Sequence, residues 1–197
     1  MVLKEKREKL IKIYNQFEKD VFDFKKQAVC KIGCADCCKN MATIDITTLE
    51  GIIIYERIDS FSSSIKKEIK KRLNQNKFEK EHKKLVNCPF LKEDNTCLIY
   101  DVRPFSCRWL YSVKRCNEGP PTIHRQVFEH ANKAIREIQQ LDDNGYSGYL
   151  SFILYLLDKP DFRKTYLSGK FHPEKIVKFA MRHKLSINRP STGSAVI

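Results

Sequence analysis

Eight cysteines lie between residues 30 and 116, and none in the 81 residues that follow; this placement constrains the 197-residue chain more than any other feature. Cys30, Cys34, Cys37 and Cys38 form a C-x3-C-x2-C-C run, and Cys88, Cys97, Cys107 and Cys116 follow at intervals of 9, 10 and 9. Cysteines that serve only as small core hydrophobes are scattered among apolar stripes. Here they are gathered, which points to ligation. The N-terminus is charged from Lys4 onward and has no apolar h-region, so no secretory leader is expected. In a reducing, cytoplasmic setting eight thiols are expected to be ligands rather than disulfides.

The spacing carries a geometric expectation. On a helix, Cys30, Cys34 and Cys37 fall at i, i+4 and i+7, on one face, and Cys38 is turned aside. Gly33 opens the alternative of a tight loop. Either way, Cys37 and Cys38 need not serve the same ion. That points to two sites, or to one site plus a free or redox-active thiol. Cys38 is the candidate reactive thiol, because Lys39 beside it would stabilise a thiolate. The long gaps of the second group require chain returns, for which Pro89, Pro104 and Asp94-Asn95 are suited. Metal binding would then order a segment with little core of its own.

The candidate metal ligands are all eight: Cys30, Cys34, Cys37, Cys38, Cys88, Cys97, Cys107 and Cys116. An all-sulfur donor set is soft and favours zinc, an iron–sulfur cluster or Cu(I) over magnesium or calcium. Four thiolates complete a tetrahedral zinc site or hold an iron–sulfur cluster, and spacing does not separate those outcomes. His82, His124, His130, His172 and His183 fall outside both groups and are expected to be surface or core-edge side chains. Arg103, Arg108 and Arg115 lie within the second group, either as outer-shell partners of sulfur or as surface arginines. Trp109, the only tryptophan, would shield the centre from water or serve as plain core.

The fold expected is mainly α: a helical domain with a small, irregular, metal-organised cysteine-rich segment. Leu3, Leu10, Tyr14, Phe17, Val21, Phe24 and Ala28 recur at helical spacing over residues 3–28. Thr47-Thr48-Leu49-Glu50 has capping-box spacing ahead of a second helix. Residues 59–64 break it, and Ser64 would cap a lysine-rich third. Apolar pieces at 89–91 and 98–100 flank a polar loop, suggesting a small hairpin or a tight excursion. Ile123, Val127, Ala134, Ile135, Ile138 and Leu141 mark another helix, 142–145 a turn, 149–157 a buried helical strut, and 174–183 a short last helix. Pro160 and Ser168-Gly169 read as punctuation. One domain is expected over residues 1–185, with an N-terminal helix at 1–28, a cysteine-cluster core at 28–118 and helices over 122–185. Residues 186–197 would be a loose tail.

Hydrophobic residues at 42% and charged residues at 31% fit a folded chain. No apolar run reaches the ~20 residues of a membrane-spanning helix. The net charge of +13 would fall to +9 with two sites of four thiolates around divalent ions. That balance permits an acidic partner, protein or nucleic acid, and equally suits a lysine-rich solvated surface.

Cys30–Cys38, then Cys88-Pro89-Phe90-Leu91, Cys97-Leu98-Ile99-Tyr100-Asp101-Val102-Arg103-Pro104 and Cys107-Arg108 resemble the YkgJ-type cysteine-cluster family, also called the CxxCxxCC zinc- or iron-chelating domain. The resemblance spans about residues 28–118. It implies metal or iron–sulfur binding with no defined reaction. One departure is visible: three residues, not two, separate Cys30 from Cys34. The same type of cysteine domain occurs in flagellin lysine N-methylases, which makes a protein-modifying enzyme the alternative. No Gly-rich turn after a strand supports a Rossmann-like cofactor site. A basic nucleic-acid-binding module is the third reading, carried by Lys66-Lys67 and Lys70-Lys71-Arg72 but by no recognised motif.

Overall fold

A computed structural model describes residues 2–31, 33–39, 43–83, 85–116 and 119–189. Among them the protein is mainly helical, with a small three-stranded sheet. No helix among the described residues is long and apolar enough to cross a membrane.

Helix α1 (Leu3–Asp20) presents Leu10, Tyr14 and Phe17 on one stripe. They pack against α7 (Arg125–Leu141), whose Val127, Ala131, Ala134 and Ile138 recur at the same spacing. The two stripes and Val21, Leu49, Phe105 and Tyr111 form one buried core. The helix expected over 3–28 stops earlier. At the buried Val21 the backbone leaves helical geometry (φ −106°, ψ 6°), and a short α2 (Phe22–Lys25) follows.

The second core surrounds α8 (Leu150–Leu157), the expected buried strut: Leu150, Phe152, Ile153, Leu154, Leu156 and Leu157 are all buried. Around it lie α4 (Thr48–Asp59), α5 (Ser63–His82) and α9 (Pro160–Leu167). Pro160 starts α9 rather than merely punctuating, since proline is suited to the first helical turn. The lysine-rich α5 also begins earlier than expected: Ser62 is the residue ahead of its first turn, so Ser64 is already helical. The last helix, α10 (Val177–His183), follows a 3-10 turn at Pro173–Lys175.

The strands were not expected. β1 (Asp45–Thr47) pairs antiparallel with β2 (Tyr146–Tyr149), in register Ile46↔Gly148, and β2 pairs with β3 (Ser186–Ile187). All four residues of β2 are buried, so the strand shows no polar–apolar alternation.

Two buried carboxylates tie the cores together. The capping box at Thr47 forms in full: the Glu50 amide donates to the Thr47 hydroxyl at 3.3 Å, and Glu50 Oε2 accepts the Thr47 amide at 2.9 Å. Glu50 Oε1 also accepts the Tyr14 hydroxyl from α1 and the Phe105 amide, each at 2.7 Å. Asp142, in the turn after α7, accepts the Leu49 amide, the Tyr166 hydroxyl and the Asn188 side-chain amide. A Cβ on Gly145 would run into the Asp142 carboxylate, so that turn needs glycine.

Candidate metal centre

All eight cysteines lie among the described residues and are free thiols. The expected i, i+4, i+7 face does not form. Gly33 takes φ +87°, a conformation open mainly to glycine, and breaks any helix through Cys30 and Cys34. Only α3 (Asp36–Lys39) is helical, one turn carrying Cys37 and Cys38. This is the loop alternative that Gly33 allows.

Cys38 is brought to the second group. The Cys88 amide donates to the Cys38 carbonyl at 2.7 Å. The expected hairpin follows as a small excursion. Leu91 and Cys97 form an isolated antiparallel bridge, the Lys92 amide donates to Thr96 O, and the Leu98 amide to Phe90 O. Asn95 takes φ +62° at the tip, which asparagine tolerates better than most residues. The excursion sets Cys97 opposite Leu91, three residues past Cys88. Cys107 sits in α6 (Phe105–Trp109), whose first amide is held by Glu50. Cys88, Cys97 and Cys107 pack against the α8 core.

Electrostatics trace the same neighbourhood. Cys107 is pushed above the ordinary thiol range by burial, then by the charges of Cys38, Cys97 and Cys37. Cys38 feels a lowering hydrogen bond from Cys37, but that from Cys88, together with burial, outweighs it and carries the thiol up to about 12. Cys37, whose Sγ lies 4.0 Å from that of Cys38, is raised by this hydrogen bond and by burial. Burial raises Cys97, while Arg103 lowers it.

Cys30 is tied to the chain around Ser112. The Val29 amide donates to Ser112 O at 2.9 Å, and the Ser112 amide donates to Cys30 Sγ at 3.3 Å. Burial raises Cys30, and its charged neighbours are Cys34, Cys116 and Cys37. Among the described residues, no three Cys, His, Asp or Glu side chains stand as a ready ligand set. The thiols are neighbours, and their mutual repulsion opposes ionisation.

The donor chemistry fits a soft cation. All the gathered groups are sulfur, and a bound cation reverses the local balance by deprotonating the thiols it coordinates. Two thiolates on one zinc stand about 3.8 Å apart, given Zn–S bonds of ~2.3 Å. The 4.0 Å between Cys37 and Cys38 is close to that span.

A family model described as "Putative zinc- or iron-chelating domain", CxxCxxCC, matches residues 29–133, more than half of the chain. The chain belongs to the CxxCxxCC family. No curated protein and no solved structure matches it. The CxxCxxCC match begins just before Cys30, so it includes all eight cysteines, and it runs on into α7.

Within the CxxCxxCC region, Arg103 acts on the thiols by charge, lowering Cys97 and Cys107, and stacks its guanidinium over Tyr100. Arg108 turns away: it donates to Arg103 O and lies over the Tyr14 ring. Arg115 is exposed. Trp109 packs edge-on against Phe128, at the border of the α1–α7 core. The histidines are engaged elsewhere. His124 bonds Tyr111, His130 faces Asp20, His172 faces Glu174, His82 lies on Phe78, and His183 is buried between Phe152 and Phe179. A cleft of about 950 Å³ opens beside the cysteines, with Cys37 and Cys116 in its wall and Phe105, Trp109, Leu110 and Ile138 as apolar lining. Sequence spacing gives no signal for it.

Proposed function

We propose that this protein binds zinc or an iron–sulfur cluster through the cysteines at positions 30–116, and that the centre is structural before it is anything else. The observation that supports it is that Cys38, 50 positions before Cys88, meets it through a 2.7 Å backbone bond. Among the described residues, 87–116 are otherwise held by short elements such as the Leu91–Cys97 bridge, the 3-10 turn Tyr100–Val102 and the five-residue α6. Such a segment gains most from a cross-link at its sulfurs. Bound there, zinc would supply a fixed tetrahedral cross-link, and an iron–sulfur cluster would add one-electron chemistry. Arg103 would balance thiolate charge, and Glu50 would hold the helix that carries Cys107. A reducing, cytoplasmic setting suits this chemistry.

Purification under anaerobic conditions, followed by zinc, iron and acid-labile sulfide analysis per chain, tests the reading. Zinc without sulfide identifies the first form, and iron with matching sulfide the second. A colourless protein without any of the three contradicts it.

A further inference from the structure

We infer that a second cavity, walled by β2, α9 and the 3-10 turn at Pro173–Lys175, binds a small aromatic anion: a single ring carrying a phosphate or a carboxylate. No cysteine lines it, so the inference stands apart from the metal-binding reading.

The cavity holds about 280 Å³. That is just under the ~300 Å³ at which pockets for drug-sized ligands begin, so it suits one ring with one charged group. Its floor is aromatic. The Tyr146 ring stacks on Phe171, with centroids 5.4 Å apart and planes 29° apart, and lies 6.0 Å from Phe162 of α9. The rim is set by the end of α9. Gly169 takes φ +73°, the Gly169 amide donates to Tyr166 O at 2.9 Å, and the Lys170 amide donates to Thr165 O at 3.2 Å. This glycine-ended turn reverses the chain and brings Lys170 and Phe171 to the cavity.

The rim is also basic. Lys159, Lys170 and Lys175 line it, against the carboxylate of Asp161. Among the described residues none of these lysines forms an ion pair, and Lys159 lies instead over the Tyr155 ring. The nearby Glu174 is engaged by His172 at 3.0 Å. Tyr146 supplies the remaining group. It is only 3% exposed, and its hydroxyl has no hydrogen-bond partner among the described residues. A buried hydroxyl calls for an acceptor, and a ligand oxygen in the cavity would be one. Burial, then the charge of Glu174, lifts this phenol to about 12, so it stays protonated and donates. The rings ask for a flat apolar body, the lysines for negative charge, and Tyr146 for an oxygen. An aryl phosphate or aryl carboxylate meets all three.

The test is a titration of the full chain, as purified, with phenyl phosphate and with benzoate, followed through its amide spectrum by two-dimensional NMR. At least one of the two is expected to give saturable shifts confined to residues 144–146 and 159–176, with a Kd on the order of 0.1–1 mM at low salt. Inorganic phosphate and phenol, each carrying only part of the ligand, are expected to bind at least about tenfold more weakly. Phenyl phosphate binding ahead of benzoate assigns the charged group as phosphate, and the reverse order assigns it as carboxylate. Lys170→Ala with Lys175→Ala, both at exposed positions, is expected to weaken the better ligand about tenfold. Tyr146→Phe keeps the ring and is expected to weaken it by a similar factor at an unchanged thermal midpoint. Should Tyr146→Phe fail to fold, the lysine pair decides the matter. No saturation by roughly 10 mM of either ligand overturns the inference, as do shifts centred elsewhere in the chain. Inorganic phosphate binding as tightly as phenyl phosphate, or a lysine pair without effect, overturns it equally.

Discussion

Glu50 is only 5% exposed, and its two oxygens take bonds from three places in the chain: Thr47, Tyr14 and Phe105. Glu50→Ala removes all of them and leaves the Tyr14 hydroxyl and the Phe105 amide without their acceptor, so a loss of about 3 kcal/mol is expected in denaturant unfolding. The capping-box part of this role is legible from Thr47 and Glu50 three positions apart. The rest is not, because Tyr14 and Phe105 lie 36 and 55 positions away. Asp142 gives a pH prediction. Burial, against the bonds from Tyr166 and Leu49, lifts its carboxyl from 3.8 to about 7. The folded chain therefore keeps a proton there that the unfolded chain releases near pH 4, and stability falls as pH rises from about 4 to about 7. Asp142→Asn mimics the protonated form. The difference between its stability and that of the unsubstituted chain, followed by denaturant titration over that range, should grow in favour of Asn with rising pH.

At the scale of elements, legibility follows length. Helices α1, α4, α5 and α7, of 12 to 20 residues, carry enough turns for a periodic stripe, and α8 is marked by its apolar run. Strands of two to four residues carry no period, and β2 is buried on both faces, so the sheet was hidden. In the cysteine region the count and order of thiols point to ligation, but their backbone is not legible: only the positive φ of Gly33 decides that Cys30, Cys34 and Cys37 share no helical face. Two outcomes belong here. Leu157→Ala, at a fully buried position of α8, should cost ~2–5 kcal/mol through the cavity it leaves. Stripping metal from the reduced protein should speed hydrogen exchange at the Cys88 and Leu98 amides while the α8 amides stay protected, because α8 is held by its own packing.

Across the whole molecule, the basic excess is partly absorbed by the fold. In the run on α5, Lys66 faces Asp59, Lys70 pairs with Asp158 at 2.9 Å, and Arg72 pairs with Glu68 at 2.8 Å. The run thus has acidic neighbours of its own, which weakens its case as a phosphate-binding stripe. Two sequence-distant groups of thiols meet where the Cys88 amide bonds the Cys38 carbonyl, with Cys88, Cys97 and Cys107 packed against the α8 core and Cys37 and Cys116 in the wall of a cleft. The claim that this meeting is a metal centre is tested most directly by counting zinc, iron and acid-labile sulfide per chain on protein never exposed to oxygen, alongside the number of thiols that react with an alkylating agent before unfolding. A stoichiometric complement of zinc or of iron and sulfide, with most of the eight thiols shielded, is the result predicted. Metal-free protein whose thiols all react at once would contradict it.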